Sequence, residues 1–275
     1  MRWFAYHYVR DYLIGVTSGV YKLRRHLGGY LAKTQVNREL LFEFFDGLRP
    51  IRAGWELRRI GNRGDGGYLI PDDLLEIAGC ISPGVSDMMD FELQLSREFN
   101  IPSVLYDASI ETPPHADKNV KFRNLFVGNV HKSNYVPLSK TLDDFPNSQD
   151  ASLILQMDIE GDELLALGQL EERDLNRFRI IIVEFHRLHD WQNQTVFEKL
   201  ILPLFTKLGE SFDIVHIHPN NCDGVFSVGR KILPRALEIT FHHKSRRKKE
   251  PCYALIPHPL DHPNSSEAPD IRLDF

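Results

Sequence analysis

A chain of 275 residues with 42% hydrophobic and 26% charged residues has the size and composition of one globular α/β domain with extensions. A formal net charge of -5 gives no overall pull toward nucleic acid, and three cysteines without metal-ligand spacing exclude a disulfide scaffold or a cysteine zinc site. No stretch reaches the roughly 20 apolar residues that span a bilayer. No secretory leader is legible behind Arg2, so a cytoplasmic location is expected.

Residues 1–33 hold Arg2, Arg10, Lys22, Arg24, Arg25 and Lys33 against one acid, Asp11, interleaved with Trp3, Phe4, Tyr6, Tyr8 and Tyr12. A basic aromatic segment of this kind suits the inner face of an anionic membrane or a partner there. Packing on the domain, or on a second copy in a homo-oligomer, is the alternative. Leu40, Leu41, Phe44 and Phe45 predict a helix over residues 36–46, with Gly47 and Pro50 as its stop. Residues 1–50 therefore read as a helical extension, 51–245 as the main domain and 246–275 as an irregular tail.

The glycine-rich turn around Asp65, Gly66 and Gly67 leads into a short strand, and from Gly79 strands and helices alternate, the pattern of a parallel sheet with crossover helices. A strand at 79–82 runs into Gly84, Ser86 and Asp87, and either Ser86 or Asp87 is a helix cap before Phe91, Leu95 and Phe99. A second strand at 103–106 ends at Asp107, about 20 residues beyond Gly84, the offset of a nucleotide-binding fingerprint. A third is expected at 122–127, before Asn129. The fourth ends in Asp158 and Glu160, and the fifth, at 180–183, in Glu184, Phe185 and His186. Thr195 and Glu198 suggest a capping box for a helix that Pro203 must kink or bound. Strands at 212–217, ending at His218, and 236–241 complete the set.

The run Gln156-Met157-Asp158-Ile159-Glu160-Gly161-Asp162-Glu163 resembles the strand-four motif of FkbM-type methyltransferases, and the stretch ending in Asp143, Asp144 and Phe145 resembles the segment before it. This resemblance, running from about residue 60 to 241, implies a Rossmann-like class I methyltransferase: a seven-stranded, mostly parallel sheet with helices on both faces. It implies S-adenosyl-L-methionine (SAM) as methyl donor and, usually, a sugar hydroxyl on a glycan or glycosylated metabolite as acceptor. Asp65, Gly84, Ser86, Asp107, Asn129 and Asp158 are then expected at the cofactor, although the turn after the first strand has one glycine where the family usually has more. Glycan assembly beside a membrane would give the basic aromatic N-terminus a purpose.

In-line transfer of a methyl group to a hydroxyl needs a proton acceptor, and His218, His186 and Glu160 are the candidates at strand ends. Asp158, Glu184 and His218 could instead hold Mg²⁺ or Mn²⁺, for which oxygen donors are the better match. Glu163 is expected to anchor a helix start by its charge. Phe185 and Trp191 are either a wall for a sugar face or core. Two other readings stay open: a metal-dependent glycosyltransferase or related sugar-nucleotide enzyme, in which Asp158 and Glu160 supply an Asp-x-Asp-like pair, and a non-catalytic binding protein on the same fold.

Overall fold

The computed structural model describes residues 34–128 and 133–273. The basic aromatic segment 1–33 and Asn129 lie outside the described residues. Helix α1, Arg38–Asp46, starts where Asn37 accepts the amide of Glu39. The strands follow as β1 (Ile51–Arg52), β2 (Leu57–Ile60), β3 (Tyr68–Pro71), β4 (Gly79–Pro83), β5 (Ser103–Tyr106), β6 (Val120–Arg123), β7 (Phe126–Val127) and β8 (Tyr135–Val136). After these come β9 (Leu153–Met157), β10 (Phe178–Phe185), β11 (Phe212–Val228), β12 (Lys231–His243) and β13 (Cys252–Tyr253). Helix α2 is Asp90–Phe99, α3 Leu138–Thr141, α4 Glu163–Gly168, α5 Glu172–Leu175, α6 Gln194–Val196 and α7 Leu202–Ser211.

Seven strands form the main sheet in the order β6-β5-β4-β9-β10-β12-β11, and β12 alone runs against the rest. This is the sheet the resemblance implies. The order reverses between β4 and β9, which makes the crevice beyond their C-terminal ends the expected ligand position of an open α/β sheet. Gly84 and Asp158 are the residues that leave those two ends.

The central strands are buried on both faces, which explains their unbroken Ile, Leu and Val runs. Leu153, Leu155, Met157, Ile181, Val183 and Phe185 pack against the apolar sides of α4 and α7. On the other face Ile154, Ile180 and Ile182 meet Phe91 and Leu95 of α2 and Tyr68 and Ile70 of the β2–β3 hairpin. One face is thus covered by helices and the other by a helix and a hairpin together. The hairpin face carries the polar side chains. Gln156 donates to the Tyr68 hydroxyl at 3.1 Å, and Thr240 to the carbonyl of Leu69 at 2.8 Å.

Several local expectations change. The third strand ends at Arg123, and Phe126–Val127 leaves the sheet to pair with Tyr135–Val136. Ser86 does not cap α2; it sits at φ +52 and gives its amide to Asp107. The capping box is absent too: Asn193 accepts the amides of Thr195 and Val196, and Glu198 instead accepts from the Gln194 side chain. Trp191 and Phe185 are fully buried among Phe44, Phe45 and Phe205, so they belong to the core and form no sugar wall. The tail beyond Glu250 is irregular apart from β13, which pairs with β1, but it lies fastened across the domain.

Candidate active site

The crevice at the strand reversal is closed below by backbone. Gly84 adopts φ +86, and a Cβ there would stand 1.5 Å from the carbonyl oxygen of Asp158. Only glycine fits where the turn after β4 touches the turn after β9. A small open cleft lies beside this contact, lined by Asp65, Tyr68, Gly84, Met88, Glu92 and Asp158 among others. Asp107 stands next to it, at the end of β5. Its Oδ2 accepts the amide of Ser86 at 2.7 Å, and its Oδ1 accepts the amide and hydroxyl of Ser109 at 2.7 and 2.6 Å. Three of the roughly four lone-pair positions of this carboxylate therefore shape the loop, leaving one for a ligand hydroxyl.

Beneath the cleft lies a hydrogen-bonded chain that the sequence reading did not foresee. Ser82 bridges Glu92 of α2 and the Oε1 of Gln156, and Gln156 in turn donates to Tyr68. One hydroxyl hydrogen cannot serve two acceptors, so Glu92 must carry a proton of its own to complete the set. Burial pushes its pKa up to about 7, in agreement with that count.

From β9 toward the sheet edge, carboxylates stand side by side. Glu184 on β10 is the direct cross-strand partner of Glu238 on β12, and Glu238 of His218 on β11. Like charges placed opposite each other inside a protein favour the protonated state of one of them. Burial, with the neighbouring carboxylates, raises Asp158 and Glu184 well above the usual range, and raises Glu238 to about 7. Two side-chain amides temper the repulsion: Asn220 donates to Glu184 and Asn264 to Glu238, each at 2.6 Å.

His186 is set among these acids. Its Nδ1 lies 3.0 Å from Glu163, and its Nε2 lies 3.5 Å from Glu184, 3.7 Å from Asp158 and 3.8 Å from Glu160. Burial alone would discharge the ring, but Glu163, Glu184 and Asp158 outweigh it and lift its pKa well above normal. The surrounding acids thus favour the charged form of His186, which makes it a counter-ion to the acid cluster. Glu163 opens α4 as expected, and its Oε1 also takes the amide of Gly161 at 2.8 Å.

The metal candidates are distributed differently from the sequence expectation. Among the described residues, Asp158, Glu160 and His186 bring ligand atoms within 4.8 Å of one another. Glu184 borders that group through His186. His218 lies instead with its Nδ1 3.9 Å from Asp261 and its ring stacked at 6.4 Å on His216. Burial lowers the pKa of His218, which is thus neutral at pH 7.

Residues 105–213 match the family model described as "Methyltransferase FkbM domain". That stretch is similar to an FkbM-type methyltransferase domain. It spans β5 to the start of β11 and contains Asp107, Asp158, Glu160, Glu184 and His186. No curated protein matches the chain. Among solved structures, a human methyltransferase 10 domain-containing protein is 11% identical, covers 63% of this chain and 75% of its own, and has a TM-score of 0.31. The "delta-N METTL16 MTase domain" is 12% identical, covers 80% of this chain and 90% of its own, and has a TM-score of 0.29. The strand order and antiparallel β12 are those of a Rossmann-like, class I methyltransferase sheet, and the likeness to the FkbM family covers residues 105–213.

Glu92, Glu238 and Asn264 are the residues the sequence reading passed over, whereas Asn220 belongs to the His218-Pro219-Asn220-Asn221 ending that resembles the family. Glu238 had a signal: it is the lone acid in the apolar run from Ala236 to Phe241. Asn264 had none, because the proline-rich tail around it looks like any surface segment.

Proposed function

We propose that the chain is a SAM-dependent O-methyltransferase acting on a sugar hydroxyl of a glycan or glycosylated metabolite. The observation that carries this reading is the acid-lined cleft at the strand reversal, floored at Gly84 and flanked by Asp107. SAM carries a sulfonium and an ammonium, and Asp65 and Asp158 present half-buried carboxylates on the walls of that cleft. Asp158 Oδ1 has no hydrogen-bond partner, which leaves it an acceptor for a cationic ligand or a hydroxyl. Asp107 would take a ribose hydroxyl with its remaining lone pair. The bound cofactor supplies an electrophilic methyl group.

The chain's own residues then have to orient the acceptor and receive its proton. His186, in its charged form, holds Asp158, Glu160 and Glu184 in place as a counter-ion. Asp158 and the neutral His218 are the groups able to accept a proton, in each case at an atom without a hydrogen bond of its own: Asp158 Oδ1 and His218 Nε2. Side-chain amides and carboxylates on β10, β11 and β12 suit a polyhydroxylated acceptor, which offers donors and acceptors in equal measure. Asp158 and Glu160, with His186 once it has given up its ring proton, would hold Mg²⁺ or Mn²⁺, which would acidify a bound hydroxyl.

The test is a calorimetric titration with S-adenosylhomocysteine, run beside NAD and UDP-sugars, with and without Mg²⁺. Binding of S-adenosylhomocysteine supports the reading. Binding confined to a UDP-sugar with metal would favour the glycosyltransferase alternative, in which Asp158 and Glu160 are metal ligands.

A further inference from the structure

The tail beyond the matched family segment is built into the site. Asp261 accepts from His216 at 2.8 Å and takes the amide of His258 at 2.7 Å, so residues 258–261 are clamped on β11. Four residues on, Asn221 fixes the chain again, giving its side-chain amide to the carbonyls of Ser265 and Ala268 at 2.8 and 3.0 Å and taking the amide of Ser265 at 2.8 Å. Between the two clamps stands Asn264. Its side-chain nitrogen lies 2.6 Å from Glu238 and 3.4 Å from Asp65, and its carbonyl accepts the amide of Asp65 at 3.3 Å. The loop before β3 approaches so closely that a Cβ on Gly64 would meet the Asn264 carbonyl at 3.0 Å.

One residue of the tail thus ties together two parts of the site that are far apart in sequence. Asp65 lies on the wall of the cleft, whereas Glu238 belongs to the row on β10 to β12. Neither has another side-chain amide on it among the described contacts, since Asn220 serves Glu184. Removing the Asn264 amide leaves two carboxylates facing each other's charge with no shared donor, and leaves the loop that carries Asp65 with one backbone hydrogen bond to the tail.

We infer that Asn264 is a positioning residue of the donor site: through it the C-terminal tail holds Asp65 in place on the cleft wall, where Asp65 receives the ammonium of the cofactor. This inference rests on the SAM reading for the identity of the ligand, but the coupling of tail to loop does not. Asn221 provides the control, because it fastens the same tail without touching Asp65 or Glu238.

The experiment compares the full-length wild type with Asn264→Ala, Asn264→Gln and Asn221→Ala. S-adenosylhomocysteine affinity is measured by calorimetry, and amide exchange of residues 61–68 by mass spectrometry. Asn264→Ala should weaken S-adenosylhomocysteine about tenfold, the scale of one hydrogen bond to a charged group. It should also speed exchange across residues 61–68, and Asn264→Gln should recover part of both. Asn221→Ala should leave both near wild type while lowering the melting temperature. Equal affinity and exchange in the two alanine variants would overturn the positioning role and reduce the tail to packing. If the wild type itself fails to bind S-adenosylhomocysteine, the SAM reading falls, and the exchange data alone decide whether Asn264 holds the loop.

Discussion

Gly84 shows how one position joins sequence to site. Its φ of +86 and the 1.5 Å separation between a hypothetical Cβ and the Asp158 carbonyl mean that Gly84→Ala must push apart the turns after β4 and β9. We expect a loss of several kcal/mol, at the severe end of single substitutions, or failure to fold, read by thermal unfolding. Asp107→Ala removes the acceptor for two backbone amides and a hydroxyl. It should weaken S-adenosylhomocysteine by at least about tenfold, and unchanged affinity would move the cofactor away from β5. Both positions were legible as a glycine and an acid at the ends of apolar strands. Glu92 was not, because an acid in the first turn of a helix is ordinarily on the surface. Its folded pKa of about 7 lies above the unfolded value of 4.5, so the native state binds the extra proton. Stability should be greatest below that unfolded value, fall as pH rises toward about 7, and level off above it; Glu238 adds a slope in the same direction. Glu92→Gln should flatten this slope and be more stable than wild type at pH 8, as measured by denaturant unfolding across pH. A variant with an undiminished slope would show that Glu92 ionises normally.

At the scale of elements, apolar periodicity located every strand of the main sheet, and the differences lie at their ends. The sixth and seventh strands extend well past the predicted ranges as Phe212–Val228 and Lys231–His243, because their outer halves pair only with each other and need no buried face to persist. Pro203 was read as a kink or boundary and is one. It follows a π-helical turn at Phe197–Ile201 and occupies the first turn of α7, where its missing amide costs no hydrogen bond. The capping box failed because Asn193, two residues before Thr195, is the acceptor at this helix start. Trp191 was ambiguous in sequence, since a tryptophan near a strand end suits a ligand wall as well as a core. Its contacts with Phe44, Phe45, Phe185 and Phe205 decide the matter. Trp191→Ala should therefore cost about 3–5 kcal/mol, and ligand affinity of the remaining folded protein should be unaltered. A selective loss of acceptor binding without loss of stability would return it to the site.

For the whole molecule, the sheet order is what a reader of the sequence could obtain by analogy, whereas the covering of its polar face is not. The β2–β3 hairpin and the tail come from opposite ends of the chain and meet over the same row of carboxylates. No local pattern reports a contact between Asp65 and Asn264. None of the described helices is long and apolar enough to cross a membrane. A basic segment at residues 1–33 remains the part of the chain suited to a membrane surface, and liposome sedimentation with and without anionic lipid would test that expectation; equal recovery in the supernatant from both would end it.

The central claim is that the cleft between Gly84, Asp107 and Asp158 binds the cofactor of a methyltransferase. It is tested most directly by calorimetric titration of the intact protein with S-adenosylhomocysteine, repeated on Asp107→Ala, with UDP-sugars and NAD in parallel. The account predicts saturable, one-to-one binding of S-adenosylhomocysteine that is lost or strongly weakened in the variant. Binding of a UDP-sugar alone, or S-adenosylhomocysteine affinity indifferent to Asp107, would contradict it.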